Sequence, residues 1–167
     1  MAIDEGRAVL LERLDEAEAR LARLAAAPPS SGRSDPDPGS EERWDAGQVC
    51  AHLAEFPAYW LAQAERIIDA PPDFPARFGR ATDAPERVQP IEAERHRPVG
   101  DLWAACRQAI ERIRAFTRSA NDDDRARTGE HVTHGPLTAG SVLVAFVGGH
   151  LLEHAAQLES LADPRPA

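Results

Sequence analysis

Four stretches of this chain repeat their apolar residues at helical spacing, and each is cut off by proline or a run of acids. No other feature constrains the fold as much. Over residues 3–26, Ile3, Leu10, Leu14, Ala17, Leu21 and Leu24 form one apolar stripe, with Glu and Arg on the opposite side. Ala27-Pro28-Pro29 ends it. A second stretch, 45–68, begins where Asp45 and Gln48 have the spacing of a capping box. Its inner stripe is Val49, His52/Leu53, Phe56, Tyr59/Trp60 and Ile67, and Pro57 predicts a kink or break near Leu53–Phe56. The third, 99–119, carries Leu102, Cys106, Ile110, Ile113 and Phe116/Thr117, and stops at Asn121-Asp122-Asp123-Asp124. Thr138 is the candidate cap of the fourth, 138–162, which Asp163-Pro164 ends.

The connections are unlike these stretches. Residues 28–43 are Pro, Ser, Gly and Asp with little to bury, and read as a solvated loop. Residues 70–98 hold six prolines and little periodicity, a length typical of functional covers or disordered linkers. Residues 131–133 read as extended, but one short segment makes no sheet. The expectation is a single domain over 1–167, all-α: an antiparallel four-helix bundle with long Pro-rich connections. Composition agrees. Hydrophobic residues make up 43% of the chain and aromatics only 5%, so the core is built of Leu, Val, Ile and Ala.

Charge and cysteine content exclude more than they name. With 28 acidic against 19 basic residues, the formal net charge of −9 repels nucleic acid, and no basic run offsets it. Cys50 and Cys106 are too few for a disulfide framework. The N-terminus MAIDEGRAVL is too charged for a secretory signal, and no uninterrupted apolar run approaches about 18 residues. A cytoplasmic protein without membrane or nucleic-acid partners is expected.

The histidines carry the chemistry. His96 lies between arginines in a polar loop, and His131 and His134 flank a Gly-Pro turn, where loop polarity accounts for them. His150 and His154 are different. Spaced i, i+4, they share the inner stripe of the fourth stretch with Leu143, Val147, Leu158 and Leu161. A buried imidazole without a partner forfeits about 1–3 kcal/mol, which a divalent cation recovers by accepting the lone pair. His52 also faces inward, so three imidazoles can converge between helices two and four, leaving a coordination position open. The residues alone leave core polar groups as the alternative. His150-Leu151-Leu152-Glu153-His154 also matches the HxxEH of inverzincin peptidases, with Glu153 as base, but the chain is too short and too helical for that architecture.

Trp44-Asp45 followed by VCAHLAEF, then His134-Gly135-Pro136-Leu137-Thr138, then GGHLLEHAAQLESL resemble the DinB-like superfamily of metal-binding four-helix bundles, which includes thiol-dependent S-transferases and isomerases. The resemblance rests on about thirty residues in matching order. It implies His52, His150 and His154 as ligands of zinc or nickel, with water or a substrate thiolate completing the site. It further implies mycothiol or bacillithiol as co-substrate, a small-molecule substrate, and a homodimer. Glu55, one turn from His52, is a candidate to orient that ring, with Glu153 and Gln157 as further supports of the ligands. Two activities follow as expectations: attack by an activated thiol on an electrophile, or activation of water for hydrolysis. A non-catalytic metal- or ligand-binding stress-response bundle is the alternative.

Overall fold

The computed structural model describes residues 2–30, 32–35 and 41–162, with side chains from Gly6 onward. Ile3, expected on the first stripe, and the Asp163-Pro164 stop lie outside the described side chains and residues. Four long helical units make the bundle: α1 (Ala2–Ala26), α2 (Ala46–Asp69), α4 (Val99–Ser119), and a composite unit of α6 (Ala139–Leu143), a π-helical turn (Val144–Gly148) and α7 (Gly149–Ala162). Shorter elements fill the connections: β1 (Arg77–Phe78), α3 (Pro85–Glu94), α5 (Asp122–Ala126), β2 (Thr128–His131) and β3 (Gly135–Thr138).

The stripes read from the sequence are the core. Leu10, Leu14, Ala17 and Leu21 of α1 are buried against α4 and the composite unit, while α2 packs on α4, α6 and α7. Both expected caps form. Gln48 N–H donates to Asp45 Oδ1 (2.9 Å) and Asp45 N–H to Gln48 Oε1 (3.0 Å); Thr138 and Ser141 reciprocate in the same way. Ala139–Ala162 is long and apolar enough by composition to cross a membrane; here it packs against α1 and α2 in the bundle.

Five expectations need correction. Of the kink or break expected near Leu53–Phe56, the break does not occur: α2 is continuous through Pro57, and packing on both sides outweighs the lost backbone donor. The 70–98 connection is not irregular throughout, because Pro85 starts α3 where a first-turn N–H has no helical partner anyway, and Ile91 anchors that helix to α2. A small sheet exists: β1 runs parallel to β2, with Phe78 opposite His131, and β2 pairs antiparallel with β3. Gly129 lets it dock, since a Cβ there would lie 2.8 Å from Ile67 Cγ1. The 28–43 loop is not wholly solvated. Ser34 is buried, its N–H donates to Trp44 O (2.8 Å), and its Oγ accepts from Trp44 N–H (3.0 Å). Finally, the acidic run after α4 does not simply end a helix. Asn121 caps α5, accepting from Asp124 N–H at 2.8 Å.

The π-helical turn is also absent from the sequence reading. Its extra residue re-phases the helix just before His150, a frequent position for such turns near functional sites. Gly148 faces α1, and a Cβ there would sit 3.1 Å from Arg13 Cδ. The missing side chain therefore serves helix packing.

Candidate metal centre

Helix α2 and the composite unit each present a ladder of rings on facing surfaces. On α2 it is His52, Phe56 and Trp60; on the other unit it is Phe146, His150 and His154. Each ladder repeats every four residues, close to one helical turn. The two histidine ends meet. His154 Nε2 lies 2.8 Å from His150 Nε2, which is 3.2 Å from His52 Nε2, and one ligand atom from each residue falls within 4.8 Å of the others. Three nitrogens on a tetrahedral zinc stand about 3.3 Å apart, so the imidazoles already have nearly the spacing a cation requires.

Lone-pair direction strengthens the fit. His150 Nδ1–H donates to Glu153 Oε2 (3.0 Å), and His154 Nδ1–H donates to Gln157 Oε1 (2.8 Å). A carboxylate only accepts, and an amide oxygen only accepts, so the proton of each neutral ring sits on Nδ1. Both Nε2 atoms therefore turn lone pairs toward one another at short range. Two lone pairs in that geometry repel unless a cation lies between them, and these donors suit a divalent metal. Burial and the neighbouring His154 and His150 hold His52 well below the usual imidazole range, which keeps its ring neutral and able to coordinate.

Of the three expected supports, Glu153 and Gln157 lie against their histidines. Glu55 does not reach His52. Its carboxylate takes the Arg80 guanidinium instead (2.6 Å), and that guanidinium also lies over the Tyr59 ring at 3.9 Å. A charged pair outcompetes a neutral imidazole for the carboxylate. His52 Nδ1 is buried and without a hydrogen-bond partner among the described residues. Ring packing holds His52 in place: Trp44 meets it edge-on at 5.1 Å and stacks on His154 at 5.7 Å, while Phe56 lies 4.8 Å from His52 and 4.5 Å from His150.

A cleft open to solvent runs from His52 and His150 toward the β2–β3 hairpin. Phe56, Trp60 and Phe146 line it on one side, and Arg80 and Arg87 on the other. Arg87 pairs with Glu42 at 3.0 Å. At the far end His131 and His134 come within 4.7 Å, centroid to centroid. His131 is not the loop polar group the sequence suggested. It is buried in β2, and its Nδ1 accepts from the backbone N–H groups of Thr133 (3.1 Å) and His134 (3.2 Å). Sequence reasoning also passed over Phe146, although its four-residue spacing from His150 was a signal.

The family model described as the DinB superfamily matches residues 2–158. The chain belongs to the DinB superfamily. Two solved structures share its fold. YfiT from Bacillus subtilis, described as a probable metal-dependent hydrolase with an unusual four-helix bundle topology, superposes with a TM-score of 0.70 at 19% identity, covering 93% of this chain and 85% of YfiT. A mutant of the mycothiol-dependent maleylpyruvate isomerase superposes at 0.69 with 13% identity, covering 95% of this chain but only 61% of the isomerase. No curated protein matches the sequence. The three-histidine group has the donor set and spacing that suit a divalent metal.

Proposed function

We propose that this DinB superfamily member is a metal-dependent enzyme in which His52, His150 and His154 hold a divalent cation, zinc or nickel, and the cleft brings a low-molecular-weight thiol to an electrophilic substrate. The observation that carries this reading is the inward convergence of three Nε2 atoms at the floor of an open cleft. A divalent cation bound there supplies the positive charge that keeps a thiol, or a water, deprotonated near neutral pH.

The chain's own residues do the rest. Glu153 and Gln157 fix the tautomers of His150 and His154, so both rings offer Nε2. Phe56 and Trp44 fill the space around His52 and exclude water from the sides of the site that face the core. The side toward the cleft stays open, and three protein ligands leave room there for an exogenous one.

Fold likeness to a mycothiol-dependent isomerase supports thiol chemistry; likeness to YfiT supports water in the same position. The test is incubation of zinc- or nickel-loaded protein with mycothiol or bacillithiol and a haloarene electrophile. Thiol consumption that disappears in His52→Ala is the expected result. No consumption by metal-loaded protein, or equal consumption by His52→Ala, would overturn the thiol reading. Ester hydrolysis without added thiol would select the water reading.

A further inference from the structure

The cleft has a wall that the metal site does not use. Beyond the histidines, both ladders continue as aromatic rings: Phe56 and Trp60 on α2, and Phe146 one turn before His150 on the composite unit. Trp60 and Phe146 stack nearly parallel, 4.3 Å between centroids and 12° between planes, and Phe56 meets Trp60 edge-on at 6.2 Å and 69°. His131 supports the stack from beneath the hairpin, nearly parallel to both Trp60 (15°) and Phe146 (19°). These rings are held in orientation. His131 cannot rotate freely because its Nδ1 is fixed by two backbone N–H groups and its Nε2 lies against Gly79, where a Cβ would come within 2.3 Å.

A rigid aromatic wall that begins one helical turn from His52 and His150 is matched to an unsaturated partner, which can meet its rings face-on or edge-on. Leu or Val would line a cleft for an aliphatic ligand equally well. Aromatic faces and edges add a preference that buried area alone does not give. Neither cleft guanidinium is a bare charge, because Arg80 is paired with Glu55 and Arg87 with Glu42.

We infer that the cleft takes a substrate with a planar, unsaturated body, aromatic or conjugated, which packs against the aromatic wall of Phe56, Trp60 and Phe146 while its polar head reaches the three-histidine site. The inference rests on the metal reading above and adds the class of substrate to it.

Hydroxamates test both and separate them, because one chelating head can carry different bodies. Zinc-loaded and metal-free protein are titrated calorimetrically with acetohydroxamate, benzohydroxamate and cyclohexanecarbohydroxamate. Acetohydroxamate binding to the zinc-loaded form alone supports an open metal position. Its failure to bind zinc-loaded protein would overturn the metal reading and this inference with it. Cyclohexyl carries more hydrogen and more apolar area than phenyl, so area alone favours the cyclohexyl compound. Stacking predicts the reverse, benzohydroxamate binding about fivefold tighter. Equal affinity, or preference for the cyclohexyl compound, alongside normal acetohydroxamate binding, would overturn the planar-body inference and leave the metal reading intact. Phe146→Leu, which keeps apolar bulk but removes a π face, is expected to lower the ratio; an unchanged ratio in folded variant protein would count against Phe146 as part of the floor and overturn the assignment.

Discussion

Two histidine clusters sit at opposite ends of one cleft, and ring spacing does not tell them apart. His131 and His134 have ring centroids 4.7 Å apart, while the triad's centroids lie 4.3 Å (His150–His154) to 5.5 Å (His52–His150) apart. What separates the clusters is where the nitrogens point. In the triad, Nε2 atoms face a common centre and the outer nitrogens of His150 and His154 are tied to acceptors. In the hairpin, His131 Nδ1 is an acceptor for backbone N–H groups, so its proton sits on Nε2, which is buried toward Gly79. One cluster offers lone pairs to a cation; the other spends its lone pair closing a turn. Proximity of imidazoles is thus a poor guide to coordination, and tautomer is a good one.

The sharpest way to break that distinction is metal content. His154→Ala removes one of three converging donors, and zinc retained through desalting should fall below about 0.1 per chain. His134→Ala should leave it unchanged, as measured by elemental analysis of untagged protein. Equal loss in both variants would mean the hairpin pair takes part in binding. Next in size is the loss of an orienting acceptor. Gln157→Ala frees the His154 ring to turn, and competition with a chromophoric chelator should show zinc affinity about 10–100-fold weaker. Glu153→Ala should cost less, since Glu153 is exposed and water can replace its carboxylate.

How far the sequence could see follows from the same contrast. The long helices were legible because each repeats its stripe over many turns: Leu10, Leu14, Ala17 and Leu21 leave no other reading. His52, His150 and His154 were legible because they interrupt such stripes. What period cannot reveal is structure shorter than a period. A two-residue strand at Arg77–Phe78 and a four-residue strand ending at His131 carry no alternation to count. The π-helical turn is a one-residue insertion without a residue signature, and Pro85 looked like a breaker because a helix's first turn tolerates what its interior does not. Glu55 was misplaced for a related reason. Its position one turn from His52 was visible, but Arg80, its partner from a distant loop, was not.

Gly79 probes the hairpin cluster alone. Its φ is +83°, in the left-handed region, and a Cβ would collide with the His131 ring. Gly79→Ala should therefore destabilise the fold by about 1–3 kcal/mol in chemical denaturation while zinc content stays at the wild-type value. Loss of zinc in this variant would show that the two clusters are coupled through the aromatic floor.

The smallest expected effect is a pH dependence belonging to His131. Burial, then the neighbouring His134, lowers its pKa below the ordinary imidazole value. The folded state therefore binds fewer protons than the unfolded chain once pH drops below about 6.5. Stability from this group is complete above that pH and is lost as pH falls through it toward the folded-state pKa. Protonating Nδ1 also removes the acceptor for Thr133 and His134 N–H. In His131→Asn the side-chain oxygen can still accept from the turn but cannot titrate. The stability difference between zinc-loaded wild type and His131→Asn, followed by denaturation from pH 8 to pH 5, should be level at high pH. Below about 6.5 it should move against the wild type. His52 shares the direction of shift but is present in both proteins, so it cancels from the difference. A level difference across the whole range would mean His131 keeps its charge state on unfolding, and would remove the turn-closing lone pair from the contrast between the two clusters.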